Sequence, residues 1–370
     1  MKKVFSKIRE YVPIFSIVVF AFGILSTVFF MIYTSSVGFA DFFNQYLSVP
    51  FRVVISYISS IIPFSIAELA IITSPAWIGI LIYIAVKRAK KGKKTSIRYI
   101  FSLLSVICII FICLVWTNTS GFYNTKIEDK LGLDRENITD EELYETGIII
   151  IERLNELSPS IGYRDNCSSI MPYSYNEMSA KICDAYEAFT SKHNNILTTF
   201  DSRIKPIWLS EPMTYTHLSG LYTCMTGEAN VNVNYPDYVV ASSAAHEMAH
   251  QRGIAREDEA NFIAFAVLIC SDDEFLQYSA YLDVLSYITS SLRKSSKDLY
   301  ENMISKLNIE TKQDYNSYVE FFKKYANSPA SSVTDKINDS FLQANGQQSG
   351  TKSYSLVTEL VCAYLLNRKK

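Results

Sequence analysis

Histidine is scarce in this sequence: there are four in 370 residues, His193, His217, His246 and His250. None follows His250, so no histidine can complete a metal site downstream of it. Cysteine is little better suited to metal. Seven are present without a Cys-x-x-Cys pair, which excludes a structural zinc ribbon. They do not form a disulfide framework either, although an oxidising compartment would permit a Cys167–Cys183 bridge. An excess of charge is also lacking: the net charge is −2, so nucleic acid is not an expected partner. Internal repeats and low-complexity linkers are absent. The most informative absence is local. Residues 11–40, 53–67, 69–86 and 99–125 contain no charged side chain, whereas charges occur throughout from residue 126 onward.

The chain therefore divides into a lipid-compatible third and a remainder of about 250 residues, long enough for one sizeable core. A bilayer core of about 30 Å needs roughly 20 apolar residues in a helix. Residues 12–34 meet this, as do 66–86, despite Glu68 near one end and Pro75 inside, and 99–118. Residues 51–64, with Arg52 at the start and Pro63 at the end, are too short to span and read as an interfacial or re-entrant helix. The expected organisation is a membrane region, 1–118, with three transmembrane helices, and an extracytoplasmic domain, 119–370. The first apolar run is too long for a signal peptide and lacks a small-residue cleavage site.

Lysine and arginine set the orientation. Lys2, Lys3, Lys7 and Arg9 precede the first span. Lys87, Arg88, Lys90, Lys91, Lys93, Lys94 and Arg98 lie between the second and third, while residues 35–65 hold only Arg52. Both basic clusters reach the cytoplasm if the N-terminus is inside. The expectation is a multi-pass protein of the cell membrane, with the lipid bilayer as one partner and its domain outside the cytoplasm. Glu68 then sits near the outer end of its span, an interfacial position rather than a proton relay. A single acidic residue in three spans is poor in the polarity that transport requires.

Beyond the membrane region the patterns are mostly helical with a small β element, an α+β class. Thr139 and Glu142 have capping-box spacing before a helix running to about Leu157. A second helix is expected from Tyr175 to Lys192. Proline and glycine punctuate 201–237 into short extended pieces, and residues 227–234 alternate polar with small or apolar side chains, as a half-exposed strand does. From Ser242 the periodicity is helical almost to the end, with breaks near Ser295, Ile309, Ser328 and 346–350.

Two of the four histidines stand in His246-Glu247-Met248-Ala249-His250. A helix places residues i and i+4 on one face, so both imidazoles can reach one ion, and the adjacent Glu247 projects beside it. Zn2+ in such a site lowers the pKa of bound water to about 7, making hydroxide available for hydrolysis. Four histidines placed at random would produce this pattern on the order of a few times per thousand chains. Ser243, Ala244, Ala245 and Ala249 are small, as a closely packed helix requires.

Catalytic zinc usually takes a third protein ligand, and the acids available downstream are Glu257, Asp258 and Glu259. Were the helix unbroken, Glu257 would lie about 10.5 Å from His250 along the axis, too far for one ion. The helix must therefore stop between them, and Gly253 stands where a left-handed stop belongs. A second helix starting near Arg256 would put Glu257 and Asn261 on one face, with Asn261 supporting a ligand histidine. Glu257 is the first choice for the ligand, then Glu259, then Asp258.

His246-Glu247-Met248-Ala249-His250-Gln251-Arg252-Gly253 followed by Glu257-Asp258-Glu259-Ala260-Asn261-Phe262 resembles a bacterial membrane-protein family of unknown function whose members look like gluzincin-type zinc metallopeptidases. The resemblance extends to Thr226-Gly227-Glu228-Ala229-Asn230-Val231-Asn232, to Tyr278-Ser279-Ala280-Tyr281-Leu282 and to Ala344-Asn345-Gly346-Gln347. It implies a zincin-like domain in which Glu257 binds zinc, because the first Glu of similar Glu-x-x-Ala-Asn segments does so. It also implies a zinc metallopeptidase acting on extracytoplasmic or membrane-proximal polypeptides, with His246, His250 and Glu257 as ligands and Glu247 as general base. The alternatives are a zinc-dependent amidase, an inactive zinc-binding module, and a membrane scaffold with no catalysis. Residues 227–234 are the expected edge strand for a peptide substrate. Tyr278 and Tyr281 are the candidates for an oxyanion partner, against a background of 25 tyrosines that mostly serve packing.

Overall fold

The computed structural model describes residues 8–194, 196–345 and 354–368. Lys2, Lys3 and Lys7, and the helix break expected at 346–350, lie outside them. Of the described residues 72% are helical, and the sheets are small. Among the described residues three helices are long and apolar enough to cross a membrane: α1 (Ile14–Ser35), α4 (Ile66–Ala89) and α5 (Lys93–Thr117). The last two run a little beyond their expected ends, because the basic residues of the hairpin are helical. α1 and α5 approach closely through small residues, with Ser16, Gly23 and Ser26 buried between them. The Trp116 indole donates to Ser26 Oγ at 3.0 Å.

Between the first two spans lie α2 (Val37–Phe43), a π-helical turn (Asn44–Ser48) and α3 (Val49–Ser60). α3 is the segment too short to span. Its faces are inverted relative to a helix in water: Arg52, Ser56 and Ser59 are buried, while Phe51, Val54 and Ile58 are exposed. The buried polar side meets the rest of the protein.

The remaining helices are α6 (Ile127–Leu131), α7 (Asp140–Leu157), α8 (Tyr175–Lys192), α9 (Ser210–Thr214), α10 (Asp237–Gln251), α11 (Glu257–Leu268), α12 (Glu274–Ser295), α13 (Lys297–Ser305), α14 (Ile309–Lys323), α15 (Pro329–Ala344) and α16 (Tyr354–Leu365). The Thr139–Glu142 capping box forms at the start of α7, and a second box, Ser174 with Glu177, starts α8. α12 is the central post, packed against α7, α10, α11 and α16. Its Leu282, Leu285 and Ile288 share a core with Ile150, Ile151 and Leu154 of α7. Each such fully buried side chain contributes about 1.5–3 kcal/mol.

Two small sheets complete the fold. β1 (Gly162–Tyr163) and β2 (Ser169–Ile170) pair antiparallel. The second sheet has the order β3–β5–β4, with β3 (Ile204–Pro206) parallel and β4 (Gly220–Thr223) antiparallel to β5 (Glu228–Val231). This corrects the expectation for 227–234, since β5 is the central strand and β4 the edge. The polar residues of β5 were read as solvent-facing, yet all four of its residues are buried. Asn230 Nδ2 donates to the Leu221 carbonyl at 3.0 Å, and the Glu228 carboxylate accepts the amides of Ile66 and Ala67 at 2.9 and 3.0 Å.

That last pair joins the sheet to the second span, for the first amides of α4 have no partner within the helix. Glu68 returns the link, accepting from the amides of Trp208 and Leu209 at 3.0 and 2.7 Å. Lys205 donates to the carbonyls of Ser59, at 3.0 Å, and Ile62. Asp41 accepts from the amide and hydroxyl of Thr125. All seven cysteines are free, so the Cys167–Cys183 bridge is not made, and Cys183 instead accepts the Ser202 amide.

Candidate metal centre

α10 is built from small residues where it must be tightly packed: Ala241, Ala244, Ala245 and Ala249 are fully buried. It ends in a Schellman turn. The Gly253 amide donates to the His250 carbonyl at 3.2 Å and the Ile254 amide to that of Ala249 at 3.2 Å. Gly253 has φ of 105°, and a Cβ there would meet Val49 Cγ2 at 2.8 Å. Both the left-handed backbone and the close approach of α3 call for glycine. The chain reverses, and α11 opens at Glu257, with Arg256 at the N-cap position making no side-chain cap.

The turn brings three donors together. His250 Nε2 lies 3.1 Å from His246 Nε2. Glu257 Oε2 is 3.3 Å from His246 Nε2, and its Oε1 is 3.7 Å from His250 Nε2. A tetrahedral ion with bonds of about 2.0–2.1 Å separates its donors by about 3.3 Å, so the set fits a zinc-sized cation. His250 Nδ1 is 2.7 Å from the Ile254 carbonyl, which can only accept. The proton therefore sits on Nδ1, and Nε2 keeps its lone pair for a metal. His246 Nδ1 is buried without a hydrogen-bond partner, and Asn261 lies beside the same ring.

Asp258 and Glu259 turn elsewhere. Glu259 accepts from the Ile127 amide at 3.1 Å and from Arg256 at 2.8 Å, and Asp258 faces Arg135 at 3.7 Å. His193 contacts the Tyr364 hydroxyl and His217 the Tyr325 carbonyl, so neither joins the cluster.

Charge is unevenly held across the group. Burial pushes the His250 imidazole down to about 4. Burial also opposes a cation on His246, but the hydrogen bond to Glu257 and the charges of Glu247 and Glu257 raise it to about 9. For Glu257 burial works against ionisation, and the His246 hydrogen bond with the two imidazole charges outweighs it, holding the carboxyl near 2. Glu247 has donor atoms within 4.8 Å of both histidines, and burial pushes its carboxyl up to about 8.

β4 passes directly over Glu247. The Tyr222 backbone faces the Glu247 carboxyl and favours its ionised form, and a Cβ on Gly220 would clash with Glu247 Oε1. Because Asn232 donates to the Ser219 carbonyl, the alternation of an antiparallel pair turns the main-chain groups of residues 220 and 222 toward the open edge. The Tyr222 ring stacks on His250 at 6.0 Å. From α12, Asp283 lies near His246, its carboxyl pushed up to about 6 by burial against the pull of that histidine's charge.

Tyr278 and Tyr281 do not reach the cluster. The Tyr278 hydroxyl donates to Asp314 at 3.0 Å in the core, and Tyr281 packs on Phe265 beside Arg153. Both serve packing because α12 turns them away from α10.

Sequence reading missed the floor of the centre. Arg52 of α3 is 0% exposed and donates to the His250 carbonyl at 2.7 Å, to Asn44 Oδ1 at 3.2 Å and to the Thr117 carbonyl. Asn44 in turn donates to the Gly253 carbonyl at 3.2 Å. Gln251 reaches the Gly227 carbonyl at 2.7 Å and Ser56 Oγ at 3.2 Å. The domain-side ends of the spans are thus wired to the last turn of the helix that carries both histidines. The available signal was Arg52 itself, a lone cation between two charge-free runs.

The chain belongs to the family described as protein of unknown function DUF3810, whose model matches residues 39–362 and so takes in Arg52 as well as the histidine motif. No curated protein matches the chain, and no solved structure does.

Proposed function

We propose that this chain is a membrane-anchored, zinc-dependent peptidase that hydrolyses extracytoplasmic or membrane-proximal polypeptides. The observation that carries the reading is the convergence of His246, His250 and Glu257 at separations of 3.1, 3.3 and 3.7 Å, with buried Glu247 alongside. Zinc bound by the three would supply Lewis acidity and a water acidic near neutral pH. Glu247 takes the proton of the attacking water and delivers it to the leaving amine. The Tyr222 backbone faces the Glu247 carboxylate, and the open edge of β4 offers an extended polypeptide an antiparallel partner. The basic hairpin from Lys87 to Lys94 supports a cytoplasmic location for that end of α4 and α5, with the zinc ligands on the opposite side.

Purified full-length protein is expected to hold about one zinc per chain. Glu247→Gln is expected to keep the metal and lose at least about a hundredfold of the hydrolysis of a peptide library, the scale of a removed general base. Wild type without zinc would sink the proposal. Zinc without Glu247-dependent hydrolysis would make the domain a metal-binding module.

A further inference from the structure

We infer that the domain has a membrane contact of its own, a lipid-facing rim formed by Trp208 and Leu209 with the outward face of α3, which sets the open edge of β4 at the bilayer surface. Between residues 119 and 308 six large apolar side chains are exposed among the described residues, and five fall in one stretch: Trp208, Leu209, Tyr215, Leu221 and Met225. Their position is fixed by the second span. The amides of Trp208 and Leu209 are held by Glu68 in the first turn of α4, so the 85%-exposed Trp208 stands beside the outer end of a candidate membrane helix. Tryptophan is enriched at that level because its ring is apolar and its N–H seeks water or headgroups.

The loop from α3 to α4 exposes Ile61, at 81%, and Phe64, and α3 exposes Phe51, Val54 and Ile58 while burying its polar residues. A helix with polar groups inside and large apolar groups outside has lipid, not water, as its solvent. Cys224, one residue past β4, lies against Thr117 and Cys113 of α5, so the strand descends to the outer end of the third span. The partner the rim fits is the outer interfacial layer of the membrane that holds the spans.

A consequence follows for substrate class, and this part rests on the peptidase reading. A polypeptide pairing with β4 approaches along the bilayer surface, which favours segments tethered to the same membrane over freely dissolved peptides.

The lipid contact is tested on the full chain in phosphatidylcholine vesicles, by comparing fluorescence of the wild type with Trp208→Phe to isolate Trp208. Its emission is expected to be quenched by lipids spin-labelled near the headgroup, less by lipids labelled deep in the acyl chain, and little by aqueous iodide. Quenching by iodide without quenching by lipid would overturn the contact. Protection from both would overturn it as well, because a second protein surface would then cover the rim. For the substrate, a Trp208→Ser/Leu209→Ser chain should cut a vesicle-anchored peptide several-fold more slowly while cutting the same peptide in solution at the wild-type rate. Equal loss on both would overturn the tethered-substrate part. Failure of the wild type to cut either would strike the peptidase reading and leave the quenching result intact.

Discussion

The helix that carries His246 and His250 is held on two sides by unlike materials. Toward the membrane, α3 and the preceding turn meet it with hydrogen bonds donated by Arg52 and Asn44 to the carbonyls of His250 and Gly253, and Ser56 Oγ accepts from Gln251. Toward α12 the contact is dominated by close-packed apolar side chains, with Ser242 donating to the Ser279 carbonyl as a polar seam. Apolar packing stabilises without fixing direction, whereas hydrogen bonds to particular carbonyls fix where a turn lies. The difference suggests a division of labour, in which the core supplies the stability of the domain and the membrane segment supplies the aim of the ligands.

The largest break in that comparison is Arg52→Met. It removes a charged donor from three buried acceptors and should cost about 3 kcal/mol of stability, and metal affinity in the folded protein should fall about tenfold, as for a lost partner behind a ligand. Leu285→Ala on the apolar side should cost a similar 2–5 kcal/mol while leaving metal affinity unchanged. Thermal melts with and without zinc, paired with competition against a chelator, check both. Equal effects on affinity would erase the division. Gly220→Ala is a finer probe, because its methyl would press on Glu247 and not on the ligands. Turnover should drop at least about tenfold with zinc content unchanged, and normal turnover would show that β4 does not constrain Glu247. Trp208→Ser is the smallest. An exposed side chain away from the core should change stability within about 0.5 kcal/mol in detergent, and a larger loss would show that the corner is part of the packing.

The centre was legible in the sequence where its geometry is local. His246 and His250 at i and i+4, the glycine that stops the helix and the acid that opens the next are all set within twelve residues, and the Schellman turn follows from the Gly253 backbone. The three candidate spans were legible from uncharged length alone. What was hidden is long-range. Arg52 lies 198 residues from the carbonyl it holds, and nothing in its local pattern distinguishes a buried clamp from an interfacial charge. The strand expected at an edge is central because alternation reports polarity, not exposure: Glu228 and Asn230 are buried, the one accepting from the Ile66 amide and the other donating to the Leu221 carbonyl. Tyr278 and Tyr281, weak oxyanion candidates for which packing is the better expectation, are turned into the core by α12.

The proposed metal set is tested most directly at its third ligand. Zinc per chain should be measured on full-length wild type, Glu257→Gln and Glu259→Gln purified identically in detergent. About one zinc is expected in the wild type and in Glu259→Gln, and a large loss in Glu257→Gln alone. Zinc retained by Glu257→Gln, or lacking in the wild type, would contradict it.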